Sequence, residues 1–215
     1  MSAPARAAEP LIADLTSHLI NITTGFSGTN DSAYRMEAWD FIIAGGGLFN
    51  NLDYSFTVGH EDGSFVYPAS QPGGGSPALR RQLGYLRQFI GQFDFLHLRP
   101  DPALLQGTLP PATTARALVK PGEEYAIYVR TFERKAPGQQ RQKSKFADAE
   151  LVLAVGLPEG EFSVEWLDTK QGAVAKREKC THPGGVHQFA APPFEQDIAL
   201  ALRRIHGAGP ARTGN

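Results

Sequence analysis

The first clear apolar pattern along the chain covers residues 33–44, where hydrophobic side chains recur on one broad helical face. The members of this face are Met36, Trp39, Phe41, Ile42 and Ile43. Asn30 or Asp31 is a suitable N-cap, and Gly45-Gly46-Gly47 is a strong stop signal. We therefore predict a helix over residues 33–44, with Trp39 in the core.

A second pattern alternates between apolar and polar positions over residues 48–58, which predicts a strand. Residues 61–76 form a predicted loop that ends in glycines, and Ser76 and Pro77 are typical of a helix N-terminus. The helix that follows, residues 77–95, has Arg80 on its predicted outer face. Its apolar positions are Leu79, Leu83, Leu86, Phe89, Ile90 and Phe93.

The sequence pattern changes after residue 107. Residues 108–114 are predicted to be a linker, and short strand-like segments follow. The predicted strands are residues 115–119, 124–132, 150–155, 161–167, 173–178, 186–190 and 197–203. Turn signals at residues 120–122, 157–160 and 183–185 separate them. Short strands at such intervals indicate an antiparallel β-sandwich, although the last segment also suits a helix.

Composition narrows the class of function. Lys plus Arg total 21 and Asp plus Glu total 22, so the formal charge of −1 argues against a nucleic-acid binder. No apolar run is long enough to predict a membrane span. The N-terminus is a poor signal peptide, so the localisation stays open. We expect residues 1–10 and 207–215 to be disordered.

One segment concentrates polar side chains that a core does not need. It follows the glycine stop and precedes the glycine-rich loop, which is typical of the lining of a binding cleft. The candidate ligand-binding residues are Asn51, Asp53, Tyr54, His60, Glu61 and Asp62. We expect no cofactor and no metal, because Cys180, His182 and His187 lack a fourth ligand and the usual zinc spacing.

Several segments resemble a known family. AWDFIIAGGGLFNNLDYSFTVGHEDG, ALRRQLGYLRQFIGQFDF and LRPD resemble the end of a glycoside-hydrolase-like (β/α)8 barrel. EYAIYVRTF, ELVLAVGLPEGEFSVEWLDTKQG and APPFEQDIALALRR resemble the small C-terminal β-sandwich of such proteins, sometimes labelled a collagen-binding domain. The resemblance implies an α+β protein. Residues 11–107 would be an incomplete barrel remnant of one to two β/α units, and residues 115–206 an antiparallel β-sandwich.

The resemblance also implies a carbohydrate ligand, with the six candidate residues near the sugar-binding mouth of the barrel. Glycoside hydrolysis generally needs two carboxyl groups. The part of the barrel that would supply the acid/base has no counterpart here, and Thr23 occupies the expected nucleophile position. The chain is therefore expected to be catalytically incompetent alone, and an upstream barrel polypeptide or self-association would complete it. The alternatives are a non-catalytic carbohydrate- or matrix-binding module and a truncated reading frame.

Overall fold

The computed structural model describes residues 31–49, 53, 55–66, 75–131, 145–146 and 150–206. The chain comprises two compact units, Met1–Leu83 and Gly84–Asn215. This division lies earlier in the chain than the predicted linker at 108–114. Both predicted disordered ends, the segment around Thr23, and the candidate residues Asn51 and Tyr54 lie outside the described residues.

Both predicted helices are confirmed. Helix α1 is Asp31–Ile43, and α2 is Pro77–Ile90. Ser76 caps α2 as predicted, because its Oγ accepts a hydrogen bond from the Leu79 amide at 2.9 Å. Helix α1 is buried on most of its circumference and not on one face alone, and Trp39 is fully buried. Even Arg35 is buried in it, and its guanidinium donates to Gln82 Oε1 of α2 at 3.3 Å.

The predicted strand over residues 48–58 is wrong for those of its residues that the structure describes. The chain forms local turns there, with His60 N donating to Thr57 O at 2.8 Å and Gly63 N to His60 O at 3.0 Å. Phe56 is 49% exposed and Val58 is 98% exposed, so the alternating apolar positions do not face a core. Alternation specifies a strand only where a neighbouring strand is available to pair with it.

The second unit is built on an antiparallel sheet. Its strands are β1 Arg99–Pro100, β2 Leu105–Gln106, β3 Thr113–Lys120, β4 Glu124–Thr131, β5 Lys145–Phe146, β6 Val152–Asp168, β7 Ala173–Ala190, β8 Phe194–Glu195 and β9 Asp197–Arg204. The main sheet has the order β1-β3-β4-β9-β6-β2, with β7 also paired to β6, while β5 pairs with β8. Two short 3₁₀ helices, Phe95–His97 and Pro102–Leu104, precede the long strands. The protein is thus α+β, and its last predicted element is a strand and not a helix.

Strands β6 and β7 form one long ribbon, which corrects the four shorter strands predicted over residues 150–190. The predicted turn at 157–160 lies within β6, because Leu157 pairs with Gly185 and Glu159 with Pro183. The face of β6 that is buried nevertheless changes at this point, because Leu157 and Phe162, which are five residues apart, belong to the same apolar core. Since neighbouring side chains in a strand point to opposite faces, the two faces of this ribbon line one core.

The ribbon also bends at the predicted turn over residues 183–185. The rings of His182 and His187 lie 5.2 Å apart between centroids, although five residues of straight strand would span about 16 Å. Gly184 and Gly185 have φ values of 98° and 103°, which glycine adopts readily. The glycines therefore make a corner in a continuous strand.

The core of the second unit draws on β4, β6 and β9. Strands β4 and β9 are buried on both faces, since alternate residues Tyr128 and Ala199 are as buried as the core residues Ile127 and Leu200. Next to this core, Asp197 Oδ2 accepts hydrogen bonds from the Tyr128 hydroxyl at 3.1 Å and from Thr169 Oγ1 at 2.6 Å. Among the residues described, no helix is long and apolar enough to cross a membrane.

Candidate functional site

Arg80 of α2 organises the segment in which the sequence placed its candidate residues. Its Nη1 donates to Asp53 Oδ2 at 2.9 Å and to Ser55 Oγ at 2.8 Å, and its Nη2 donates to Gly63 O at 2.9 Å. The guanidinium carbon also lies 4.9 Å from the centre of the Phe56 ring. Sequence analysis put Arg80 on the outer face of the helix, but only 30% of its side chain is exposed. It pins the loop to α2.

Asp53 is a structural carboxylate in this arrangement. Burial disfavours its charged form, but hydrogen bonds from Ser55 and Arg80 outweigh that effect and hold the pKa of Asp53 below its ordinary value. Ser55 contributes both its amide, at 3.0 Å from Asp53 Oδ1, and its hydroxyl. Gly75 packs against the same carboxylate so closely that a Cβ there would overlap Asp53 Oδ1. The predicted ligand-binding aspartate therefore has its oxygens engaged within the loop.

His60, Glu61 and Asp62 close the next turn of the loop. His60 Nδ1 is 3.0 Å from Ser64 Oγ, Glu61 Oε1 accepts from Gly59 N at 3.0 Å, and Asp62 Oδ1 accepts from Ser64 N at 3.0 Å. The backbone hydrogen bond from Gly59 lowers the pKa of Glu61, and hydrogen bonds from Ser64 lower that of Asp62. Both carboxyl groups are solvent-exposed and remain ionised at neutral pH.

A cleft of about 300 Å³ lies beside this loop, at the start of α2. Its lining residues are Asp31, Gly63, Ser64, Phe65, Val66, Gly75, Ser76 and Pro77. Ser76 Oγ donates to Asp31 Oδ2 at 2.8 Å, which joins the first residue of α1 to the cap of α2. The other oxygen, Asp31 Oδ1, is buried and has no hydrogen-bond partner among the described residues.

Of the predicted candidates that the structure describes, Asp53, His60, Glu61 and Asp62, none lines this cleft. Sequence analysis considered Asp31 and Ser76 only as helix caps and did not single out Phe65 or Ser64. The sequence showed two helix N-terminal residues and a glycine-rich loop. It did not indicate that Asp31 and Ser76 are in contact, because they are 45 residues apart.

In the second unit, Cys180 and His187 meet at the corner of the ribbon. Cys180 Sγ lies 3.7 Å from both ring nitrogens of His187, so neither nitrogen is directed at the sulfur in preference to the other. Burial raises the pKa of the Cys180 thiol and lowers that of the His187 imidazole, so the neutral forms of both groups are favoured. In the described part of the chain, no group of three or more His, Cys, Asp or Glu side chains is arranged to hold a metal ion.

No family model matches this sequence, and no curated protein matches it. Solved structures do resemble it. A structure described as a glycoside hydrolase matches with a TM-score of 0.50 and 17% identity, over 81% of this chain and 37% of that chain. A glycoside hydrolase family 5 protein from Bacteroides vulgatus matches with a TM-score of 0.52 and 16% identity, over 81% of this chain and 36% of that one.

These likenesses support a glycoside-hydrolase-like fold. The chain spans little more than a third of the length of either structure. Identities this low concern the fold alone, so the chemistry of the chain has to be argued from its own side chains.

Proposed function

We propose that this chain is the C-terminal portion of a glycoside hydrolase acting on O-glycosidic bonds, and that on its own it binds carbohydrate without cleaving it. The fold likeness to two glycoside hydrolases over 81% of the chain supports the lineage. Because the chain spans only about a third of those proteins, the remaining walls of the active site would come from an upstream barrel polypeptide.

The observation that carries the second half of the proposal is the state of the carboxyl groups. Glycoside hydrolysis needs a protonated carboxylic acid beside the leaving oxygen, and enzymes obtain it by raising a pKa through burial. The pKa values of Asp53, Glu61 and Asp62 are all lowered by hydrogen bonds. None of the three is poised to donate a proton near neutral pH, so a general acid would have to be supplied from elsewhere.

The alternative is a non-catalytic accessory module that binds a carbohydrate or a matrix polymer. The use of Asp53 in loop structure favours it, because a carboxylate whose oxygens already accept hydrogen bonds from Ser55 and Arg80 has little capacity left for a reacting sugar. The two possibilities differ in one respect: the enzyme fragment gains hydrolytic activity when the missing barrel is supplied, and the module does not.

The architecture we propose is a barrel remnant that begins at residue 11, followed by a β-sandwich over residues 115–206 to which β1 and β2 add two short edge strands. The two faces of the β6–β7 ribbon that line one core support the sandwich, since a ribbon that passes from one layer to the other presents opposite faces inward. Helices α1 and α2 would correspond to the last two helices of the barrel.

Two assays on the purified chain test the function. We expect calorimetric titration with a panel of soluble α- and β-linked tetrasaccharides to detect binding by at least one of them. We expect no release of nitrophenol from nitrophenyl glycosides. Hydrolysis that is abolished by Glu61→Gln would refute the non-catalytic assignment, and a chain that binds no member of the panel would refute the carbohydrate assignment.

A further inference from the structure

We infer that the corner of the β6–β7 ribbon is a pH-sensitive joint, which His182 and His187 hold together only while both rings are neutral. Mild acid protonates the rings and loosens the bend between the two halves of the ribbon. Histidine is the side chain whose ordinary titration range lies just below neutral pH, and protonation of clustered histidines is a known way of switching an interface. The joint lies in the second unit and does not depend on the carbohydrate-binding function proposed above.

The bend brings the two rings into contact. His182 and His187 lie on either side of the glycine corner in β7, and their ring centroids are 5.2 Å apart with an angle of 83° between the planes. His182 is buried, and the His187 ring also packs on that of Phe189, at 4.5 Å between centroids. Since Phe189 belongs to the apolar core of the second unit, the two histidines connect the corner to that core.

A hydrogen bond at the corner requires His182 to be neutral. Its Nδ1 accepts from the Gly184 amide at 3.1 Å. A neutral imidazole has one accepting nitrogen, whereas both nitrogens of a protonated ring are donors. Protonation therefore breaks the bond between the His182 ring and the backbone of the bend.

The β7 side chains around His187 do not favour its protonation. Burial and the neighbouring His182 lower the pKa of His187, and Glu178 opposes them only in part. The Glu178 carboxylate is itself engaged by Lys176 Nζ at 3.1 Å. Cys180 Sγ lies 3.7 Å from both ring nitrogens, but burial raises the pKa of this thiol and keeps it neutral. A positive charge on His187 is therefore poorly balanced.

Strands β6 and β9 add a permanent positive charge near the same corner. His182 pairs with Gly160 of β6, and the Arg204 guanidinium of β9 lies so close that a Cβ on Gly160 would be 2.7 Å from Nη1. Arg204 is held there by the carbonyls of Gly122 and Glu159, which accept from its Nε and Nη2 at 2.6 Å each, while the Glu159 side chain is exposed. Because arginine stays charged at all relevant pH values, protonation of His182 adds a like charge across the ribbon.

The direction of the pH dependence follows from His187. Its pKa in the folded protein lies below the ordinary value of 6.5, so the unfolded chain takes up a proton at a higher pH than the folded one. The stability that the neutral ring contributes is thus complete well above pH 6.5 and is lost as the pH falls through 6.5 towards the folded pKa. Carboxylates contribute little to this loss above about pH 5, because their ordinary pKa values are near 4.

Urea unfolding at several pH values tests the joint. In a Trp39→Phe background, fluorescence of the buried Trp166 reports on the second unit. We expect the urea midpoint to fall between about pH 7.5 and about pH 5, and His187→Phe, which keeps a ring against Phe189 but cannot be protonated, to remove about half of that fall or more. The matched controls are His97→Gln and His206→Gln. Their side chains are each 68% exposed in the same unit, and neither change should reduce the fall.

NMR of the wild type gives a readout that does not depend on how any variant folds. The Cε1 proton of His187 should titrate below pH 6.5. Hydrogen exchange, corrected for its intrinsic pH dependence, should show that the Gly184 amide loses protection in mild acid before the amides of β4 do. The joint is refuted if the urea midpoint does not fall, if His187→Phe falls as far as the wild type, or if the Gly184 amide is equally protected at both pH values.

Discussion

Replacing Arg80 by alanine should destabilise the first unit, because this one side chain holds three segments together. It donates to Asp53, to Ser55 and to the Gly63 carbonyl, and it covers the Phe56 ring. Without it the described part of the loop keeps its turn hydrogen bonds and the one from the Phe65 amide to Ser55 O, and surface loops open and close such contacts readily.

The magnitude follows from what each contact is worth at this degree of exposure. A hydrogen bond to a charged group contributes roughly 1.5–3 kcal/mol when buried, but exposed ion pairs contribute roughly 0–1 kcal/mol. The side chains of Arg80 and Asp53 are 30% and 17% exposed, between those limits. Asp53 also keeps both hydrogen bonds from Ser55 after the substitution. We therefore expect a loss of about 2–3 kcal/mol for Arg80→Ala and about 1–2 kcal/mol for Arg80→Lys, which keeps the charge but not the planar fork.

The two tryptophans make this measurable, because Trp39 lies in the first unit and Trp166 in the second. In a Trp166→Phe background, urea unfolding followed by fluorescence reports on Trp39 alone. The midpoint should shift to lower urea in the Arg80 variants. Arg81→Ala is the matched control: Arg81 is an exposed neighbour on the same helix, and its replacement should change stability by less than about 0.5 kcal/mol. Equal midpoints for Arg80→Ala and Arg81→Ala would refute the reasoning.

Three further predictions concern the same units. Because the pKa of Asp53 in the folded protein lies below its ordinary value of 3.8, the stabilisation by its carboxylate is complete above that pH and is lost as the pH falls through the folded pKa. In Asp53→Asn, the loss of stability below about pH 4, followed by Trp39 fluorescence, should therefore be smaller than in the wild type. An unchanged loss would contradict this. Gly63→Ala should lower the free energy of unfolding by about 2–3 kcal/mol, because φ is 75° and the new Cβ would lie 2.7 Å from the Phe56 ring. Gly59→Ala, where φ is 81° but the space is open, should lower it by only about 1 kcal/mol. Equal urea midpoints for the two variants would count against the clash. In a Trp39→Phe background, Tyr128→Phe should lower the stability reported by Trp166 by about 1–2 kcal/mol through its lost hydrogen bond to Asp197, and no shift in the urea midpoint would show that bond to be dispensable.

The elements that sequence analysis placed correctly are those whose signals are local. Helix α2 has an apolar period, a serine cap and a proline at its first position, and each acts within one turn. Strands β3, β4 and β9 were located within one or two residues because each contains a short apolar segment next to a turn signal or a chain of polar residues that bounds it. Local chemistry specified the start of α2 well, whereas its end, predicted at residue 95, lies at Ile90.

The long ribbon was missed because proline and glycine indicate a change of direction without indicating whether pairing stops. Pro158 and Gly160 in β6 face Pro183, Gly184 and Gly185 in β7 across the corner, so both strands bend at the same place and their ladder continues. This outcome depends on the alignment of two segments more than twenty residues apart, which no window along the chain contains. The strand predicted over residues 48–58 failed for a related reason. Its alternating pattern is a local feature, whereas a strand also needs a neighbouring strand to pair with, and the local pattern does not show whether one is present.

Acidic residues after a glycine-rich turn can contact a ligand or stabilise the loop, and sequence alone does not distinguish these roles. The hydrogen bonds that each carboxylate accepts in the structure do distinguish them. Asp53, Glu61 and Asp62 each accept a backbone amide two residues away, the pattern by which acidic side chains stabilise turns. All three predicted carboxylates therefore have a use within the fold that needs no ligand.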